Sequence, residues 1–77
     1  MEDLTKEIFA YSLQNALEFG KADVSKILPK LFQHGLKKGE IGKIMPNIQQ
    51  IVEIVNKKSE AERIEEFERL KEFVKKR

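Results

Sequence analysis

Cysteine and tryptophan are absent from the 77-residue chain; proline occurs twice, glycine four times and histidine once. Without thiols there is no disulfide staple, no thiolate zinc ligand and no cysteine nucleophile. The longest unbroken apolar run is Ile8-Phe9-Ala10-Tyr11, far short of the ~20 residues a membrane-spanning helix needs. Glu2 and Asp3 stand where a secretory leader carries basic residues, so a soluble, cytoplasmic chain is expected. Strand signals are also scarce. Period-2 alternation does not persist, β-branched residues are sparse outside 41–55, and there is no Asn-Gly or Asp-Gly hairpin turn.

Helical periodicity runs throughout. The expectation is an all-α, small compact bundle of about four helices in a single domain, 1–77. The first segment runs from Asp3, a plausible N-cap, to Phe19 and stops at Gly20. Its apolar residues Leu4, Ile8, Phe9, Leu13, Ala16, Leu17 and Phe19 cover more than one face, which requires neighbours on several sides. In the second segment, Asp23 caps a stripe of Val24, Ile27, Leu28, Leu31 and Phe32, with Lys26 and Lys30 toward water and Gly35 as the stop. The third, about 37–56, buries Ile41, Ile44, Met45, Ile48, Ile51, Val52 and Val55.

Ser59-Glu60-Ala61-Glu62 is a capping box. It opens a last helix over 59–77 with the stripe Ile64, Phe67, Leu70 and Val74, and Lys75-Lys76-Arg77 are expected to fray. Ser25–Gln33 resembles Gly42–Gln50, 17 positions later, with Pro29 matching Pro46. Proline removes an amide and crowds the carbonyl four residues back, so kinks or helix starts are expected near both. The predicted core is Phe9, Leu13, Leu17, Ile27, Leu31, Phe32, Ile44, Ile48, Val52 and Val55.

Catalytic chemistry finds few carriers. His34 is the only histidine, the Ser and Thr hydroxyls are Thr5, Ser12, Ser25 and Ser59, and no glycine-rich phosphate loop is present. No catalytic residue, metal ligand or cofactor is assigned. Charge is more telling. Residues 1–20 carry net −3, residues 21–58 net +5, and 59–77 are balanced. Lys21, Lys26, Lys30, Lys37, Lys38 and Lys43, with Gln33, Asn47 and Gln50 nearby, suit a phosphate backbone with amides for sugar or base edges. A solvated surface is the ordinary alternative. No aromatic stacking platform stands out; Phe9 and Phe32 are read as core, and Tyr11 as the one aromatic outside it. A helix-turn-helix DNA reader over 27–44 is a weaker competitor: Leu31 stands where close helix contact favours Ala, and the second helix offers no Arg to guanine.

Ser12-Leu13-Gln14-Asn15-Ala16-Leu17-Glu18-Phe19-Gly20-Lys21-Ala22-Asp23 is similar to the stretch ALxNAxxYGGKAxV of archaeal-type glutamyl-tRNA synthetases. Ile44-Met45-Pro46, Ile51-Val52-Glu53-Ile54-Val55-Asn56 and Ser59-Glu60-Ala61-Glu62 are similar to MPxxxxIVEEVNxLSxEE of the same N-terminal helical domain. The chain thus resembles that domain over residues 8–72. Related modules occur in glutaminyl-tRNA synthetases and in the tail of the tRNA-dependent amidotransferase B subunit. The resemblance implies an appended domain that helps bind or orient tRNA for a class I ligase using ATP and Mg, with tRNA and the parent's catalytic domain as partners. The last helix, 59–77, would lead toward that catalytic domain. The chain lacks the HIGH-like and KMSKS-like motifs of the parent and has one glycine, Gly20, where the family often has two. No active-site residue carries over. The rival is a protein-docking module using Phe67, Leu70 and Phe73.

Overall fold

A helix coated with apolar residues on several faces must sit among neighbours, and the first helix does so. The computed structural model describes residues 2–33 and 35–75, with side chains described over 4–33 and 35–74. Its helices are α1 (Glu2–Phe19), α2 (Val24–Gln33), α3 (Lys38–Lys57), α4 (Glu60–Leu70) and the short α5 (Glu72–Lys75). The chain is an all-α bundle, and α1 packs against all the other helices. Its Ile8, Ala10, Tyr11, Leu13 and Ala16 are buried, as are the polar Ser12 and Asn15. From α2 and α3, Ile27, Leu31, Ile48, Ile51, Val52 and Val55 complete the centre.

The helix ends follow local chemistry. Gly20 adopts φ +91°, a left-handed conformation that costs glycine little, and its amide donates to the Ala16 carbonyl at 2.8 Å. Gly35 (φ +104°) closes α2: the Gly35 and Leu36 amides donate to the carbonyls of Phe32 and Leu31, both at 3.1 Å, a Schellman arrangement. Asp23 caps α2 as expected, its Oδ1 accepting from the Ser25 amide at 3.0 Å. At α3 the Glu40 carboxylate accepts from the Lys37 amide at 3.1 Å; lysine has no acceptor to return the bond. The Ser59 box is complete, with Ser59 N–H to Glu62 Oε1 at 2.9 Å and Glu62 N–H to Ser59 Oγ at 3.2 Å.

Several expectations need correcting. Helix α1 already includes Glu2, so Asp3 lies inside it and is not its N-cap. Neither proline starts a helix; Pro29 lies inside α2 and Pro46 inside α3. The carbonyls that lose a partner belong to Ser25 and Gly42, both exposed residues. Phe32, expected in the core, is 37% exposed because Ile27 and Leu31 fill the inward side of a short helix. Tyr11, expected outside the core, is 4% exposed. Phe9, Leu17 and Ile44 are half-buried, and Ile64 is exposed. The last segment is interrupted at Lys71. There the backbone remains αR and the Val74 amide bonds three residues back to the Lys71 carbonyl, so the hydrogen bonding slips without a turn. Lys75, expected to fray with Lys76 and Arg77, is the last residue of α5; Lys76 and Arg77 lie outside the described residues.

Phe67, Leu70 and Val74 pack against the core, which brings α4 and α5 back along α1. The radius of gyration, 11.4 Å, agrees with the about 11.5 Å of a compact chain of this length.

Candidate nucleic-acid interface

The turn between α1 and α2 carries Lys21 and is fixed by side chains from three helices. Asn15 Oδ1 accepts from the Asp23 amide at 2.7 Å. Asn56, at the end of α3, grips both sides of Ala22: its Oδ1 accepts from the Ala22 amide at 2.7 Å and its Nδ2 donates to the Ala22 carbonyl at 3.1 Å. Arg63 of α4 donates from Nε to the Val55 carbonyl (3.0 Å), from one terminal nitrogen to Gly20 (3.1 Å) and from the other to Asn56 (3.2 Å). One guanidinium thereby caps the carbonyl ends of α1 and α3 together, where the helix dipoles favour a cation. Sequence reasoning missed Arg63 in this role. The available signal was an arginine one turn into a helix that follows another helix end, with donors enough for several open carbonyls.

The predicted lysines fall into two groups. Lys26 and Lys30 lie one turn apart on α2 beside α1. The Lys26 ammonium sits 4.2 Å from the centre of the Phe19 ring. Lys30 Nζ donates to Gln14 Oε1 at 3.0 Å and stands 5.8 Å from the Tyr11 ring centre, so Lys30 is half-buried where full exposure was expected. Phe19, 61% exposed, is an aromatic surface that sequence reasoning had assigned to packing. The Asp23 carboxyl is held below its ordinary range, first by the Ser25 hydroxyl and then the Ser25 amide, with smaller help from Lys21 and Lys26. Lys37 and Lys38 are exposed at the start of α3.

Lys43 belongs elsewhere. It is one turn before Asn47 on the outward side of α3, and Asn47 and Gln50 face α1 on the flank away from Asn56 and the Ala22 turn. There Thr5, Phe9, Asn47, Gln50, Ile51 and Ile54 line a groove of about 370 Å³. A smaller hollow of about 130 Å³ adjoins it, sharing Thr5 and Asn47 and adding Leu4, Ile8 and Ile44.

Among the described residues, no carboxylate comes within salt-bridge distance of any of the six lysines. The ion pairs lie elsewhere: Lys58–Glu66 (3.2 Å), Arg69–Glu65 (3.9 Å) and Lys71–Glu68 (2.8 Å). Positive charge is therefore locally balanced at the start and along the length of α4 and left open over residues 21–43. His34 lies outside the described residues. Ser12 is fully buried and its Oγ has no hydrogen-bond partner among the described residues, which leaves it out of reach of a substrate. Comparison with family models, curated proteins and solved structures found no match.

Proposed function

We propose that the chain is a non-catalytic RNA-binding module, an appended helical domain that helps a cytoplasmic glutamate–tRNA ligase bind or orient its tRNA. The observation that carries the reading is the open positive charge over 21–43, unpaired with carboxylates among the described residues. Lysines that form no ion pair remain open to phosphate and release counterions when they meet it; at Lys21 and Lys26 the nearby Asp23 offsets part of that attraction. The residues behind the family resemblance have a complementary part. Asn15, Gly20, Ala22, Asp23 and Asn56 shape the turn that presents Lys21, so the resemblance supports a shared scaffold and the lysines support the RNA reading. ATP and Mg chemistry would belong to the parent's catalytic domain. A docking role for the last helix has less support, because Phe67, Leu70 and Phe73 are already half-buried.

The test is tRNA affinity, by fluorescence anisotropy, for the chain and for Lys21→Glu/Lys37→Glu/Lys38→Glu. All three positions are exposed, and acidic side chains at the N-terminus of α3 favour its dipole, so the variant keeps its helices. Affinity falls by about tenfold or more at low salt. Equal affinity of the two proteins would refute the reading.

A further inference from the structure

We propose that the groove between α1 and α3 is a pocket for one unpaired nucleobase of a single-stranded or looped RNA segment, an inference that rests on the RNA reading above. One stripe of α3 builds its outer wall: Lys43, Asn47, Gln50, Ile54 and Lys57 follow at alternating intervals of four and three residues, which keeps them on one side of a helix. Helix α1 supplies the opposing wall through Thr5 and Phe9, one turn apart. The middle of the stripe is amide and the ends are cationic.

That order matches the chemistry of a nucleotide. The side-chain amides of Asn47 and Gln50 have no hydrogen-bond partner among the described residues, and each offers two donors and an acceptor to the edge of a base. The Phe9 ring, half-buried, and Ile54, 40% exposed, supply apolar surface for a base taken out of its stack. Lys43 and Lys57 stand about 21 Å apart along the axis at 1.5 Å per residue, a span of several nucleotides, so the strand that leaves the base in either direction runs toward a cation. Two acids adjoin the stripe: Glu40, three residues before Lys43, has one carboxylate oxygen tied to the Lys37 amide, and Glu53, three residues after Gln50 and four before Lys57, borders the Lys57 end. A partner helix would need a continuous apolar stripe here; two amides interrupt it and two lysines end it.

The experiment compares a mixed-sequence single-stranded oligoribonucleotide with a blunt RNA duplex of equal length, using the wild-type chain, Asn47→Ala/Gln50→Ala and the Lys21/Lys37/Lys38 variant. Asn47 and Gln50 are exposed and alanine favours the helix, so folding is preserved. The amide variant loses about 5- to 100-fold in single-strand affinity, with duplex affinity and salt dependence unchanged. In NMR titrations with adenosine monophosphate, the Asn47 and Gln50 side-chain amide signals shift. Wild-type single-strand affinity in the amide variant, alongside a loss in the lysine variant, overturns the pocket and leaves the RNA reading standing. No RNA affinity in the wild-type chain overturns both. Self-association that Asn47→Ala/Gln50→Ala abolishes, without RNA dependence, makes the groove a protein contact and also overturns the pocket.

Discussion

Replacing Asn56 by alanine tests the scaffold that presents Lys21. The side chain holds the buried Ala22 peptide by two bonds at 2.7 and 3.1 Å, across 34 residues of sequence. Each such bond contributes about 1 kcal/mol net, and a buried group left without a partner costs about 1–3 kcal/mol. Asn56 itself is exposed, so water relieves part of that cost, and a loss of about 2–4 kcal/mol is expected. For a chain of this length the whole stability is roughly 4–11 kcal/mol, so the loss is a large share. Thermal unfolding followed by circular dichroism should drop by roughly 10–25 °C. Asn56→Asp keeps the acceptor for the Ala22 amide but sets a carboxylate against the Ala22 carbonyl, and it should not restore the wild-type value. A drop below about 2 °C in Asn56→Ala would refute the reasoning, because the latch would then contribute nothing.

Further expectations concern the helix ends. Gly35→Ala should cost about 1–2 kcal/mol in urea unfolding. No atom lies within 4 Å of a Cβ built there, so the whole cost comes from φ +104°; an unchanged midpoint would show that the turn relaxes. Acid sensitivity follows from the caps. Asp23 and Glu62 both have carboxyls lowered in the fold, Glu62 first by the Ser59 amide and then by its hydroxyl. A lowered carboxyl contributes stability at pH values above its unfolded pKa and loses it as pH falls through the folded one. Stability should hold from neutral pH to about 5 and decline below about 4. Glu62→Gln should decline less steeply over that interval, and an identical profile would contradict the assignment.

Much of the fold could be read from local chemistry. Gly20, Asp23, Gly35 and Ser59 mark ends that depend on a few neighbouring residues, and they stand where expected. The wide apolar coat of α1 correctly implied a central helix. Features set by distant partners were not legible. Asn15 and Asn56 look like surface amides to a reading of apolar periodicity, yet their partners lie 8 and 34 residues away. Arg63 sits among balanced charges, and nothing local shows that three carbonyls of two helix ends converge on it. Tyr11 is covered partly by the side chain of Lys30, a residue expected to face water. The lysines of the candidate site were visible as a charge run, but a run along the chain does not show its direction in space. Only the packing of α3 on α1 separates Lys43 from Lys26 and Lys30 and aligns it with Asn47, Gln50 and Lys57.

The salt dependence of tRNA binding by the wild-type chain tests the central claim most directly. With about four to six phosphates met by lysine, the slope of log affinity against log salt should be roughly −3 to −5. A slope near zero would mean that the open lysines of 21–43 do not engage RNA.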